Sequence, residues 1–175
     1  DDSHLDKNVM ILCSDDIFER FDIYLKIYCK YGDDFLMVFG GPQYRKDWLD
    51  ELNLEIPTTI DEMEMVMREF KDKKGLDFAL TFTTGNIKNS TYGGFIISSY
   101  GVLYGYYVDP DTGQIKYGPI EPGFKEAMTT LAKWYKEGLL DPDFAAQDGK
   151  TYDAKITGGR VGVWFALAGS GIGRY

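Results

Sequence analysis

The sequence predicts one α/β domain, and three observations lead to that fold class. Its 175 residues, 44% of them hydrophobic and 27% charged, suffice for one domain with an apolar core. Segments with helical spacing of apolar residues alternate with short apolar runs typical of strands. No internal repeat or low-complexity linker divides the chain into separate units.

The N-terminal part predicts one helix and one strand. Ser14 has the position of an N-cap and Gly32 lies just past the last apolar turn, so residues 14–32 are expected to be helical. The apolar run at residues 34–41 is expected to be a strand that two glycines and Pro42 bring to an end.

Two helices follow. Residues 45–52 have the apolar spacing of a short helix, and Asn53 suits a left-handed exit. Thr59 and Glu62 have the spacing of a capping box, and the helix that they begin should run to Gly75. The predicted inner face of this second helix consists of Ile60, Met63, Val66, Met67 and Phe70.

The middle of the chain predicts a strand and a hairpin. Residues 76–82 are an apolar run that suits a buried strand, and residues 83–107 predict loops and short segments. The turn sequence at residues 109–113 predicts a hairpin, in which Gly113 can adopt a positive φ.

The C-terminal part predicts a long helix and a last strand. The helix should begin near Glu121 and end at Gly138, before a stop at Asp141 and Pro142. A short helix can precede the strand at residues 161–168. The predicted inner face of the long helix consists of Phe124, Met128, Leu131, Ala132 and Tyr135.

Charge and composition exclude several classes of partner. With a net charge of -9, no Lys/Arg cluster and no apolar run of membrane-spanning length, we expect a soluble chain that avoids nucleic acid and anionic membranes. A neutral or cationic ligand fits better. The 13 tyrosines, many in polar, glycine-rich surroundings, predict rings at a surface or in a cleft.

Cysteine and histidine give little support for catalysis. Cys13 and Cys29 match no metal or redox spacing and are either buried thiols or a disulfide. His4, the single histidine, lies in an N-terminal stretch without the pattern of a signal peptide, which is either absent or removed. A Ser-His-Asp or Cys-His site is therefore not expected.

Other candidate motifs have structural explanations. Gly169, Gly171 and Gly173 follow a strand, but their spacing is not that of a dinucleotide fingerprint. The acidic turns at residues 109–113 and 141–143 lack the ligand set of an EF-hand. We therefore expect no cofactor and no metal.

Paired carboxylates leave a second functional class open. Asp61 with Glu62, or Glu137 with Asp141, could serve a carbohydrate-active enzyme domain, although capping and solvation at helix ends also explain both pairs.

Three runs in order carry a family resemblance. Residues 44–73, which contain YRKDWL and IPTT, residues 118–144, which contain WYKEGLLDPDF, and residues 154–165 resemble extracellular solute-binding proteins of ABC transporters, family 1. The resemblance is to the oligosaccharide-binding lipoproteins of Gram-positive bacteria. It implies one lobe, mainly the second, of a periplasmic-binding-protein-like type II fold, with helices on a small mixed sheet. Residues 44–175 would form this partial lobe, whereas residues 1–43 stay unassigned within one structural unit.

The same resemblance implies a function. Such a chain would be the non-enzymatic capture component of an ABC importer that binds a carbohydrate, an oligosaccharide, in the cleft between two lobes. It would be a monomer at the cell surface, lipid-anchored, and would deliver its ligand to ABC permease subunits. A stably folded fragment without activity of its own is the remaining alternative.

Candidate site residues follow from the rule that open α/β sheets bind ligands beyond the carboxyl ends of their strands. Arg45 and Asp47 are expected to brace the entry to the lobe near the hinge. For the ring of Trp164, core and cleft both stay open. The predicted ligand-binding residues are Asn89, Tyr92, Tyr100, Trp164, Gly169, Ser170 and Gly171.

Overall fold

The computed structural model describes residues 9–11, 40–88, 94–109 and 111–167. The predicted helix at residues 14–32 and both cysteines lie outside these ranges. The strands are β1 (Val9–Ile11), β2 (Gly40–Arg45), β3 (Leu80–Thr81), β4 (Tyr106–Val108), β5 (Ile115–Tyr117) and β6 (Val163–Leu167). The helices are α1 (Lys46–Leu52), α2 (Ile60–Lys74), α3 (Thr84–Lys88), α4 (Gly94–Ser98), α5 (Pro122–Lys136) and α6 (Gly149–Thr157).

Four strands form a mixed sheet in the order β1-β2-β6-β3. β2 is antiparallel to both β1 and β6, whereas β3 is parallel to β6, with Leu80 opposite Val163 and Thr81 opposite Trp164. β4 and β5 form a separate antiparallel hairpin, as the turn sequence predicts. The expectation of helices on a small mixed sheet is confirmed.

Most of the strand that the sequence places at residues 34–41 lies outside the described ranges, but the expected stop at Pro42 is wrong. Gly40, Gly41 and Pro42 begin β2 instead of stopping a strand, and Pro42 lies opposite Phe165 of β6. Proline has no N–H for a ladder, but β1 pairs with β2 only from Gln43 onward. The proline therefore lies just outside the stretch in which β2 has described neighbours on both sides.

Helices α2 and α5 cover one face of the sheet. α2 begins with the predicted capping box, in which the Thr59 side chain accepts from the Glu62 N–H, and Met63, Val66, Met67 and Phe70 are buried. Gly162 lies under this helix, where an added Cβ would approach the Phe70 ring to 2.3 Å. This packing explains why glycine precedes β6.

The inner face of α5 differs from the prediction by a rotation of the helix. Trp134 is fully buried, together with Ala127 and Leu131, whereas the side chain of Tyr135 is half exposed and Ala132 is exposed. Trp134 is fixed by its indole N–H, which donates to Glu64 of α2 over 2.7 Å. The prediction that Tyr135 belongs to the core is therefore wrong, because this polar contact with α2 selects the neighbouring residue.

Helix α6 covers the opposite face of the sheet. Its Tyr152 and Ile156 pack with Trp164 of β6, and the Tyr152 hydroxyl donates to the Phe165 carbonyl oxygen over 2.5 Å. The sheet therefore has helices on both faces, which is the layered arrangement of α/β domains.

The chain between β3 and α5 is a crossover connection. After α5 the backbone returns beside β3 in parallel, since Leu140 bridges Leu80 and the Asp141 N–H donates to the Leu80 carbonyl oxygen. The connection from Phe82 to the start of α5 therefore leaves from the edge at which β3 ends. We call this the carboxyl edge, and the edge at which β3 and β6 begin the amino edge.

Within the described ranges, no helix is long and apolar enough to cross a membrane.

Candidate functional site

The carboxyl edge is where the connection between β3 and α5 places its short helices. Asn86 closes the turn that begins α3. Its Oδ1 accepts hydrogen bonds from the Thr83 N–H over 2.7 Å and from the Thr83 hydroxyl over 2.8 Å. A small cavity at these strand ends is lined by Phe82, Asn86, Ile87, Ile96, Ile97, Leu131 and Phe165. All of these residues except Asn86 are apolar, so the cavity is a gap in the apolar packing beneath the carboxyl edge and does not suit a polar ligand.

Tyr100, one of the predicted ligand contacts, lies in this connection between α4 and α5. Its hydroxyl is 2.7 Å from the Thr130 hydroxyl of α5, and its side chain is partly buried. An added Cβ at Gly123, at the start of α5, would lie 2.2 Å from the Tyr100 carbonyl oxygen. The start of α5 is thus packed directly on the residue that the sequence analysis selected.

The hairpin is the most exposed part of the connection. Tyr106 of β4 is 79% exposed, and its ring centroid lies 4.8 Å from that of Tyr117 of β5. Next to the hairpin, the Tyr104 ring contacts Phe124 of α5 at a centroid distance of 5.9 Å. Tyr104, Tyr106 and Tyr117 thus have accessible rings in the connection between β3 and α5.

A buried polar network lies beside the end of β3. The Thr81 hydroxyl donates to Asp141 over 2.6 Å, and the Lys155 ammonium of α6 donates to both oxygens of Asp141 over 2.9 and 2.7 Å. Asp141 is completely buried and Lys155 is 5% exposed. Because each charge has its counter-charge, the pair is tolerated inside the protein.

Gln147 extends this network toward the carboxyl edge. Its amide nitrogen donates to the Thr81 hydroxyl oxygen and to the Phe82 carbonyl oxygen, both over 2.9 Å. These acceptors fix the orientation of the amide, since the Phe82 carbonyl oxygen can only accept a hydrogen bond and the amide nitrogen is the donor of the Gln147 side chain. The amide oxygen of Gln147 is buried and has no hydrogen-bond partner among the described residues.

Trp164 is part of the core in this structure. Its ring is 1% exposed, and its indole N–H donates to Oε1 of Gln43 on β2 over 2.9 Å. The amide nitrogen of Gln43 is buried, and no group in the described part of the chain accepts a hydrogen bond from it. Of the two environments that the sequence leaves open for Trp164, the structure places it under α6, so its role as a ligand contact stays a prediction that this burial does not support.

Arg45 and Asp47 lie at the amino edge, at the opposite end of the sheet from the start of the connection between β3 and α5. Arg45 donates to both oxygens of Asp47, over 2.8 and 2.5 Å, and its guanidinium carbon is 4.5 Å from the Trp48 ring centroid. The Arg45 hydrogen bond, the strongest of several contributions, lowers the pKa of Asp47. The two side chains thus fix the start of α1, while their proposed position near a hinge stays a prediction.

The carboxylate pairs considered for hydrolysis are occupied by structural contacts. Glu62 completes the capping box of α2, with contacts to Thr58 and Thr59. Glu137 pairs with Arg68, and Asp141 with Lys155. Neither pair therefore presents two free carboxyl groups to a substrate.

The remaining predicted residues lie outside the described ranges. Asn89 and Tyr92 fall between α3 and α4, and Gly169, Ser170 and Gly171 fall after β6. Their assignment as ligand contacts stays a prediction. Among the described residues no group of three His, Cys, Asp or Glu side chains could hold a metal ion.

Sequence reasoning missed four polar residues that the fold brings together. Asp141 was expected to stop a helix and was considered as a carboxylate pair with Glu137, whereas Thr81, Gln147 and Lys155 had no assigned role. Their contacts join residues 14 to 66 positions apart, such as Thr81 and Asp141 at 60, so no local pattern signals them. The exposed hairpin had a signal, because Tyr106, Val108, Ile115 and Tyr117 occupy alternate positions on either side of the turn.

Helices on both faces of an open sheet, with long connections at the carboxyl edge, define an α/β domain of the class that binds small ligands beyond its strand ends. The chain belongs to the bacterial extracellular solute-binding protein family, whose sequence profile matches residues 26–173. The resemblance carried by the three sequence runs is thereby confirmed.

Two curated relatives illustrate this kinship. Lipoprotein LipO of Bacillus subtilis strain 168 is 30% identical over 132 residues, which cover 68% of this chain and 25% of LipO. The fructooligosaccharide ABC transporter substrate-binding protein FusA of Streptococcus pneumoniae serotype 4 is 27% identical over 128 residues, which cover 69% of this chain and 23% of FusA. The chain spans about a quarter of the length of these relatives.

Solved structures agree on the fold. FusA of S. pneumoniae in complex with kestose has a TM-score of 0.65 at 22% identity and covers 95% of this chain and 40% of its own. An extracellular solute-binding protein from Bifidobacterium longum subsp. infantis has a TM-score of 0.61 at 22% identity, over 91% of this chain and 39% of its own. The periplasmic-binding-protein-like α/β fold that the sequence predicts is thus confirmed.

Proposed function

We propose that this chain is part of an extracellular capture protein that binds a carbohydrate and presents it to an ABC importer. The observation that carries the proposal is membership of the solute-binding family, together with a carboxyl edge furnished with uncharged tyrosine rings. Relatives named for fructooligosaccharide and for polygalacturonan or rhamnogalacturonan binding support a carbohydrate as the ligand.

The ligand would be held at the carboxyl edge, between this lobe and a second one. Residues 44–175 would supply one wall, with Asn89, Tyr92 and the Gly169–Ser170–Gly171 loop contributing contacts beside Tyr100. A ligand that contacts both walls favours the closed arrangement by its differential affinity. Because closure changes the outer surface, a permease could distinguish the loaded protein from the empty one.

Binding without turnover is the mechanism that the side chains support. In the two carboxylate pairs considered for hydrolysis, Glu137 and Asp141 pair with cations, and Glu62 accepts from backbone N–H groups. Uncharged hydroxyls and amides would instead pair with the sugar hydroxyls, and rings would cover the apolar C–H faces of the sugar. The protein would act as a monomer, anchored at the cell surface by a lipid.

The experiment is a thermal-shift screen against neutral and uronic oligosaccharides, from disaccharides to hexasaccharides, with chromatography of each sugar after incubation. The Tm of a capture protein rises with the logarithm of the ligand concentration above Kd, and the sugar is recovered intact. No rise with any member of the panel would contradict carbohydrate capture. Shortened sugars would contradict binding without turnover and favour the enzyme alternative.

A further inference from the structure

The outer face of the β4–β5 hairpin is an exposed apolar surface. Six of the eight large hydrophobic residues that are exposed in the described part of the chain lie between residues 104 and 120. Tyr106, Ile115 and Ile120 are 79%, 76% and 78% exposed, respectively. Single exposed hydrophobic residues are ordinary, but their concentration in one segment indicates a binding surface.

Strand register places four of these residues on one face. Tyr106 lies opposite Tyr117 and Val108 opposite Ile115, and the alternation of a strand turns all four side chains to the same side. Tyr107, between Tyr106 and Val108, points to the other side, where it is buried against α4 and α5. The hairpin therefore uses its inner face for packing and leaves its outer face free.

The outer face carries no charge. In the acidic turn beside it, the Asp109 carboxylate is neutralised, because it pairs with Lys116 and accepts the N–H groups of Asp111 and Thr112. The Lys116 hydrogen bond, followed by that of Thr112, lowers the pKa of Asp109 to about 2, so the pair stays ionised at neutral pH. The outer face therefore has no charged side chain with which a charged ligand could pair, whereas an uncharged ligand does not need one.

The two tyrosines supply a supported ring. The Tyr106 and Tyr117 rings contact each other at a 40° tilt, which holds the Tyr106 ring in place while leaving most of it accessible. A fixed aromatic ring with an apolar face and a hydroxyl at its rim suits a ligand that has both C–H faces and hydroxyl groups. Sugar rings have this combination.

The position of the hairpin connects it with the ligand site. It belongs to the connection that leaves the sheet at the carboxyl edge, its Tyr107 packs with Ile97 of α4 and Ala127 in the first half of α5, and the Gly118 N–H donates to the Gly105 carbonyl oxygen. Tyr135, an exposed tyrosine outside the segment from residue 104 to residue 120, lies near the C-terminal end of α5, toward the amino edge.

We propose that the outer face of the β4–β5 hairpin is a stacking platform for a sugar ring of the bound oligosaccharide, with Tyr106 as the stacking ring and Tyr117 as its support. The inference rests on the proposed carbohydrate function and adds a subsite to it. The aliphatic neighbours, Val108 and Ile115, border the ring and exclude water from its edge.

The test is calorimetric titration of the protein with oligosaccharides of the same panel, using Tyr106→Ala, Tyr106→Phe and Tyr135→Ala. Loss of the ring should weaken binding about three- to ten-fold, which is the range for an aromatic contact. Tyr106→Phe keeps the ring and should stay within about two-fold of wild type. Tyr135→Ala, the matched control at the amino edge, should leave Kd unchanged.

The outcomes separate the two proposals. Because Tyr106 is largely exposed, its truncation should leave Tm unchanged, which verifies that the variant is folded. Wild-type binding that persists undiminished in Tyr106→Ala overturns the platform and leaves carbohydrate capture standing. Absence of binding by wild type overturns both. Sedimentation that shows self-association lost in Tyr106→Ala, with sugar affinity unchanged, would assign the face to a second copy and also overturn the platform.

Discussion

The two faces of the four-stranded sheet are stabilised in different ways. Against α2, the sheet packs on Val66, Met67 and Phe70, which are fully buried. Against α6, it presents Thr81, whose hydroxyl donates to Asp141 of the buried Asp141–Lys155 pair. The first face depends on filling volume, whereas the second depends on each donor having its acceptor. Substitutions on the two faces should therefore fail in different ways.

The largest effect is expected on the α6 face. Lys155→Met leaves Asp141 buried without its counter-charge and should lower the free energy of unfolding by about 3–5 kcal/mol. Urea denaturation followed by circular dichroism measures it. The matched control removes both charges, in Asp141→Leu with Lys155→Met, and should recover part of the loss. A double variant less stable than Lys155→Met would contradict this account of the face.

On the α2 face, stability should depend on the volume of the buried side chains and not on charge pairing. Met67→Ala removes a fully buried side chain and should destabilise the protein by about 3 kcal/mol, because a cavity remains. Met65→Ala on the same helix serves as the control, since the Met65 side chain is 47% exposed. Equal losses in the two variants, again from urea denaturation, would show that burial does not set the stability of this face.

Where α2 meets α5 at the surface, stability should depend on pH. Burial raises the pKa of Glu64, but hydrogen bonds from Lys133, Arg68 and Trp134 outweigh it and lower the pKa from 4.5 to about 2. Because the folded pKa lies below the unfolded one, the stabilisation is complete above about pH 4.5 and disappears toward pH 2.

Glu64→Gln should thus be less stable than wild type by about 1–2 kcal/mol at neutral pH, a value reduced for solvent screening of the exposed partners. Denaturation curves from neutral pH to pH 2 should show the difference shrinking as the pH falls. A difference that is constant with pH would mean that ionisation of Glu64 does not contribute.

The smallest effect concerns the start of α2. Thr59→Ala removes the side-chain acceptor of the capping box and should lower stability by about 1 kcal/mol. Thr59→Ser keeps the hydroxyl and should remain close to wild type in the same urea titration. A Ser variant as weak as the Ala variant would argue against the capping hydrogen bond as the cause.

The contrast between the faces also explains what the sequence could predict. The α2 face is encoded by local spacing, so its buried residues, its capping box and the left-handed Asn53 (φ 53°) were all predictable. The α6 face depends on contacts between distant residues, such as Gln147 with Thr81, which no local pattern contains.

Two errors have the same origin. Periodicity alone favoured Tyr135 as a core residue, but the hydrogen bond from Trp134 to Glu64 of α2 fixes the rotation of α5. Glycine and proline indicated the end of a strand at Pro42, but the sheet continues because β6 pairs with β2 from Gly40 to Tyr44. The candidate site was predictable as an edge of the sheet, whereas the hairpin platform required knowledge of the strand register.

The central claim is that a carbohydrate binds at the carboxyl edge, and hydrogen exchange with mass spectrometry tests it most directly. With a bound oligosaccharide from the panel, exchange should slow in peptides covering residues 82–88 and 94–121, and remain unchanged in peptides covering residues 45–52 and 132–140 at the amino edge. Protection confined to the amino edge would contradict the account.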